Sequence, residues 1–220
     1  MNKASPYDSF YSKLMDMSVW IYTNILRFGK YETESIIKFA AAVENSNVLD
    51  YGCNTGRHAS SVKQAYGYNV MGADINPAAI SVAQRKGIPA ELITPNFFEK
   101  YKFSFDVIIN SHVLEHVDDP KDFLVNIRGL LKEEGTFVIA IPQERIRGDI
   151  SPLQILYFLF KLKFENPHKH NISKDQLFTL LIEAGFTPKE HIFCNFIPPF
   201  LTKDRIFITS RSLVVKCTKN

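Results

Sequence analysis

Cysteine is scarce in this chain. Cys53, Cys194 and Cys217 are odd in number and widely spaced. No CxxC pair occurs, so neither a disulfide framework nor a zinc site is expected, and the thiols fit a reducing compartment. Charge of one sign is lacking too. The 26 basic and 23 acidic residues leave a net charge of +3, too mild and too dispersed for a nucleic-acid groove. No window reaches the roughly 18 uncharged apolar residues of a membrane-spanning helix. The opening MNKASPYDSFYSKLMDM has no continuous apolar run, so no signal peptide is expected and the cytoplasm is the default location. Neither a DxD pair nor three histidines at ligand spacing appear, so no metal is expected. Glycine is modest, at 10 residues against 18 Phe, 9 Tyr and one Trp in 220, and that aromatic content excludes disorder as the dominant state.

What is present is a change of texture along the chain. Phe10, Leu14, Met17, Ile21, Ile25 and Phe28 form one helical stripe, which Gly29 ends. A second helix places Ile36, Ala40 and Val43 on one face. From residue 47 short apolar runs alternate with helical stretches. The runs are 47–51, 68–74, 90–94, 105–110 and 136–141, with two more at 191–197 and 212–219. Helices are expected near 56–66, 77–86, 120–132 and 174–184. Such alternation implies a parallel sheet with helices on both faces. Asn76-Pro77 and Asp119-Pro120 read as an N-cap followed by proline, Ser173 to Gln176 as a capping box, and Gly87 and Gly185 as helix stops. Phe103, Phe105, Phe137 and Phe193 are expected in the sheet core.

Four boundaries carry chemistry. In NVLDYGCNTG (47–56) an apolar strand ends at Asp50 and a glycine turn opens a helix. Gly52 lets a ligand approach the backbone, Gly56 allows close strand–helix contact, and Asn54 tolerates a left-handed conformation. Cys53 lies within the loop as a packing residue. The loop is not G-x-G-x-x-G, and Asp50 would repel a pyrophosphate but attract an ammonium group. The NAD-dependent oxidoreductase reading therefore lacks its third glycine. Asp74, with Ile75 beside it, ends the next strand and suits ribose hydroxyls. Asn96 follows the third strand and suits an adenine edge, with Phe97 against the ring. The fourth strand runs into Asn110-Ser111-His112-Val-Leu-Glu115-His116.

Together DYGCNTG, GADIN, FDVIINSHVLEHVDDP, LLKEEGTFVIAIP and HKHNISKDQLFTLLIEAGF resemble a class I S-adenosylmethionine-dependent methyltransferase. The resemblance is to the small-molecule branch that includes ubiquinone- and menaquinone-biosynthesis enzymes. It covers about 140 residues in the family's order. Two positions depart from the family pattern: Asn54 replaces a glycine and Asn96 an acid. The resemblance implies a three-layer, Rossmann-like α/β fold with a seven-stranded sheet whose last strand is antiparallel. It also implies S-adenosylmethionine at the carboxyl ends of strands one to four, touching Asp50, Gly52, Cys53, Asn54, Gly56, Asp74, Ile75, Asn96, Phe97, Asn110 and Ser111, with S-adenosylhomocysteine as product. One methyltransferase domain is expected. It comprises a helical cap (1–44), a cofactor core (45–142), a lid (143–172) and a C-terminal helix with the final strands (173–220).

His112 lies near the expected methyl group, where a neutral imidazole could take a proton from a hydroxyl acceptor. His170 is a second base candidate, and His168 a substrate contact. Tyr11, Trp20 and Tyr157 are expected to line an acceptor pocket, with Tyr7, Phe10, Phe158 and Phe160 near them. Lys161 and Lys163 beside the apolar segment 152–164 would permit contact with a membrane surface or a lipid-linked acceptor. The expected reaction is methyl transfer to a small molecule, preferably at a hydroxyl oxygen of a sugar, isoprenoid-type or secondary metabolite, by a monomer or homodimer. A catalytically silent binding protein of the same fold is the other alternative.

Overall fold

The computed structural model describes residues 30–143, 169–195, 201–202 and 210–219. Its strands are β1 (Asn47–Tyr51), β2 (Asn69–Asp74), β3 (Ala90–Leu92), β4 (Phe105–Ser111), β5 (Leu131–Pro142), β6 (Phe186–Asn195), β7 (Leu201–Thr202) and β8 (Ser210–Lys219). The helices are α1 (Lys30–Phe39), α2 (Arg57–Tyr66), α3 (Pro77–Arg85), α4 (Phe97–Lys100), α5 (Pro120–Leu130) and α6 (Lys174–Glu183), with a 3-10 turn at Leu114–His116.

The sheet order is β3-β2-β1-β4-β5-β8-β6-β7. Strands β1 to β5 pair in parallel. β8 runs antiparallel between β5 and β6. The seven strands and antiparallel last strand implied by the resemblance are present, and the two-residue β7 adds an eighth at the edge. Successive strand residues face opposite sides of the sheet. Leu49, Ile108 and Phe137 therefore face one apolar layer with Leu124, Leu177 and Leu181. Their neighbours Val48, Ile109 and Val138 face the other with Ile36, Ala59 and Val62. Covered on both faces, the central strands read as nearly unbroken apolar runs. The chain leaves β1 toward β2 on one side and returns to β4 on the other. That reversal opens a crevice beyond the carboxyl ends of β1 and β4.

The caps form as read. Asn76 accepts from the Ala78 N–H at 3.0 Å, and Asp119 accepts from Lys121 at 2.9 Å and Asp122 at 3.0 Å. Ser173 and Gln176 close a reciprocal capping box. Other readings change. Val43 lies past the end of α1 and is 77% exposed, while Ile36 and Ala40 are buried. Phe103 sits in a turn at φ 51, half exposed, with the Lys219 ammonium 4.3 Å from its ring centre. β5 starts at Leu131, five residues early, through an irregularity opposite Phe105 and Val107. β6 starts at Phe186 and carries Pro188 at a register shift. A ladder break is where proline, which has no N–H to donate, is tolerated. The stripe at 10–28 with Gly29, and the segment 152–164, lie outside the described residues.

Candidate functional site

The glycine loop is built by backbone geometry. Gly52 adopts φ 78, and a Cβ there would collide with the Val113 side chain. The N–H groups of Gly52 and Cys53 both donate to the Ala73 carbonyl, at 2.8 and 3.0 Å, tying the loop to the end of β2. Asn54 takes φ 47, the left-handed setting that asparagine tolerates best among side-chain-bearing residues. Its N–H donates to Asp74 Oδ2 at 2.8 Å, while Asp74 Oδ1 accepts from Asn76 at 2.9 Å. Asp74 thus orders the loop and stays partly exposed beside it. Asp50 is buried and accepts the Ala59 N–H at 2.9 Å. Burial pushes its carboxyl up to about 7, against the lowering effect of that hydrogen bond and of Arg57. Burial, with Asp50 and Asp74 nearby, pushes the Cys53 thiol up to about 12, so it is an unreactive packing group at neutral pH.

The end of β4 supplies the opposite wall. Asn110 donates from Nδ2 to the Tyr51 carbonyl at 3.1 Å. Its Oδ1 and the Ser111 Oγ are buried without hydrogen-bond partners. Unpartnered buried acceptors are rare, and a ligand is one means of satisfying them. His112 follows at φ 56, with its N–H on the Ala140 carbonyl at 2.9 Å. Its Nε2 donates to Glu32 Oε2 at 3.0 Å, and its Nδ1 stands 3.5 Å from Glu115 Oε1. Burial disfavours a charged ring, but Glu32 and Glu115 override it and raise the His112 pKa to about 10. At neutral pH the ring is an imidazolium with no lone pair to accept a proton. His170 lies across a narrow crevice lined by Glu115, Ile141, Pro142, Asn171 and Ile172. Its backbone N–H donates to the Glu115 carbonyl at 3.2 Å and its Nε2 donates to the Val117 carbonyl at 3.0 Å.

Asp50, Gly52, Cys53, Asn54 and Gly56 thus lie in and just before one loop, Asp74 and the Ala73 carbonyl tie that loop to the end of β2, and Asn110 and Ser111 end the neighbouring strand β4. Ile75, directly after β2, is 78% exposed, and Asn96 is exposed at the start of α4. Phe97 does not offer an open face. It is wholly buried, with ring contacts to Tyr51 and Tyr101, and the adjacent Phe98 is only half buried. Tyr11, Trp20, Tyr157 and His168, with Tyr7, Phe10, Phe158, Phe160, Lys161 and Lys163, lie outside the described residues.

Sequence reasoning missed Glu32 and Arg57. Glu32 is buried on the helix face that also buries Ser35, Ile36 and Phe39, so a carboxylate on an apolar stripe was the available signal. Arg57 Nη2 lies 3.8 Å from Glu32 Oε1 and 3.0 Å from His58 Nε2. Burial and the neighbouring guanidinium depress the His58 pKa to about 3, leaving that ring neutral. Among the described residues no group of three or more His, Cys, Asp or Glu is placed to hold a metal ion. No helix there is long and apolar enough to cross a membrane.

The residues present suit S-adenosylmethionine: a glycine loop, a partly exposed acid at the end of β2 and unpartnered buried side-chain oxygens at the end of β4. Known proteins agree. The model of a methyltransferase domain family matches residues 25–191. A ubiquinone biosynthesis O-methyltransferase of Roseobacter denitrificans is 30% identical over 151 residues, which span 64% of this chain and 60% of that protein. A solved S-adenosylmethionine-dependent methyltransferase from Thermotoga maritima superposes with a TM-score of 0.66 at 20% identity, covering 96% of this chain and 98% of that one. The cyclase SpnF superposes at 0.63 with 14% identity, over 86% of this chain and 80% of that chain. The shared fold is thus compatible with more than one chemistry. A matched family model over most of the chain, on the strand order and glycine loop described above, decides the assignment: the chain belongs to the methyltransferase domain family, in the class I S-adenosylmethionine-dependent fold.

Proposed function

We propose that this protein transfers a methyl group from S-adenosylmethionine to a hydroxyl oxygen on a small molecule. The single observation that carries this reading is the pair of unpartnered buried side-chain oxygens, Asn110 Oδ1 and Ser111 Oγ, at the end of β4, beside the strand that leads into a glycine loop braced by Asp74. Asp74 would accept the ribose hydroxyls, since each carboxylate oxygen has a second lone pair beyond the N–H it already holds. Asn96 would meet the adenine edge and Ile75 would cover the ring. Asp50 would face the ammonium group. The bound sulfonium supplies an electrophilic methyl group. The protein's contribution is chiefly to hold the acceptor oxygen in line with it.

An acceptor hydroxyl must also lose its proton. His112 is unsuited to that task, because both ring nitrogens face carboxylates. His170 is the better base. Its Nε2–H is committed to the Val117 carbonyl, so Nδ1 carries the lone pair when the ring is neutral. The ubiquinone O-methyltransferase named above favours an oxygen acceptor, and a hydroxylated isoprenoid-type ring is the substrate class it suggests; a sugar or another secondary metabolite is the next choice.

The cyclase neighbour supports a second reading, in which the fold serves something other than methyl transfer. Calorimetry separates these. Binding of S-adenosylmethionine and S-adenosylhomocysteine is expected, followed by S-adenosylhomocysteine production in a screen of hydroxylated rings and sugars. Binding of neither would sink the enzyme reading, and binding of NAD instead would revive the oxidoreductase. Cofactor binding without turnover on any acceptor would favour the silent scaffold.

A further inference from the structure

The cofactor cleft has two walls. One is the glycine loop, which passes through Gly56 into α2, so that Arg57 is the first residue of that helix. The other is the turn after β4, where His112 and Val113 stand and where the Val113 side chain fills the space above Gly52. A single side chain from a third element touches both walls. Glu32 of α1 sends Oε2 to His112 Nε2 at 3.0 Å and Oε1 to Arg57 Nη2 at 3.8 Å. It does so almost out of water, with 8% of its side chain exposed, whereas His112 and Arg57 are 34% and 39% exposed. None of the sequence motifs of the cofactor core includes α1.

We propose that Glu32 is a positioning residue for the methyltransferase site, clamping α1 to both walls of the cofactor cleft through His112 and Arg57. The proposal rests on the cofactor reading given above. The chain of contact is short. Glu32 holds the His112 ring, the left-handed His112 backbone aims Val113, and Val113 packs on Gly52. Releasing the ring frees the turn that forms the roof of the glycine loop. Binding energy is then spent on reordering that turn, and coupling is reciprocal: a ligand that orders the loop must also tighten α1.

The charged groups around His112 are Glu32 from α1, Arg57 and His58 from α2, and Glu115 and His116 from the 3-10 turn. The two carboxylates hold the ring as a cation, and the cation and Arg57 in turn hold the Glu32 carboxyl well below the usual carboxylate range, although burial opposes that charge. A His pKa raised in the folded state contributes stability fully below its unfolded value near 6.5 and loses it as pH rises toward 10.

The test uses the full chain and S-adenosylhomocysteine. In the wild type, the ring protons of His112 are expected to titrate well above pH 7, and hydrogen exchange in residues 30–39 to slow when the ligand binds. Glu32→Gln should lower the His112 midpoint by about 1–3 pH units. It should also weaken S-adenosylhomocysteine about fivefold or more. Glu32→Asp, which keeps the charge, should recover part of both. A folded Glu32→Gln with unchanged midpoint and unchanged affinity overturns the proposal, even if its melting temperature falls. If that variant does not fold, the wild-type measurements decide: a His112 midpoint below pH 7, or exchange in 30–39 indifferent to bound ligand, overturns it. A wild type that binds no S-adenosylhomocysteine defeats the cofactor reading instead, and the ring titration still reports on the clamp.

Discussion

At the scale of residues, Asp74 and Asp50 show how two acids ending neighbouring strands diverge. Asp74 accepts two backbone N–H groups at the lip of the loop. Asp74→Ala leaves both donors without their acceptor and removes the proposed ribose contact, so calorimetry should find S-adenosylhomocysteine weakened by about 1–3 kcal/mol. Unchanged affinity would refute the ribose role. Asp50 is buried with its carboxyl at about 7, against about 3.9 in an unfolded chain. Between those values the folded protein holds a proton that the unfolded chain has lost. Stability from this group therefore falls as pH rises from about 4 to 7 and is level above. Urea unfolding at pH 5 and pH 8 should show the wild type losing more stability across that interval than Asp50→Asn does; equal losses would contradict the assignment. Both acids stood out in the sequence by local pattern, Asp50 near the end of an apolar strand before a glycine turn and Asp74 at the end of the next strand ahead of Asn76-Pro77. Glu32 was not, since its partner lies 80 residues away and only the folded sheet brings them together.

At the scale of elements, punctuation was the most readable feature. Asn76, Asp119 and Ser173 each cap a helix through contacts within three residues, so the pattern contains the whole interaction. Ser173→Ala removes one half of the capping box on α6 and should cost about 1 kcal/mol in chemical denaturation. A loss under a few tenths would mean that the Gln176 side chain suffices. The strand starts were read less well. Lys132 to Gly135 resembles a turn, yet the chain already pairs at Leu131 and passes through Glu134 at φ 61. Thr187 to Glu190 likewise reads as a loop, but β8 supplies a partner strand that tolerates the proline at a shift in register. Pairing with a distant strand overrode local preference in both cases. The aromatic surplus is only partly placed by the fold: Phe105, Phe137 and Phe193 are in the core and Phe103 is at the surface.

At the scale of the whole molecule, the alternation of strand and helix was enough to infer the parallel part of the sheet, whereas the expected place of the cofactor at the strand ends came from family resemblance. The inverted last strand likewise followed from family resemblance, because nothing in SLVVKCTK states which way it will run. That strand, β8, has an ordering consequence. It pairs along seven residues with β5 and along most of its length with β6, so it is the keystone between them. Yet it is synthesised after both. Until it emerges from the ribosome, β5 presents an unpaired apolar edge and β6 has no long neighbour, a state that invites association with other chains. Contacts of such long sequence separation also slow folding. A chain stopped before residue 210 should therefore lack a cooperative unfolding transition and accumulate in aggregates, and a soluble, cooperatively melting truncation would show that the parallel half completes itself without it. The nascent chain thus carries its cofactor loop well before the strand that closes its sheet has been made.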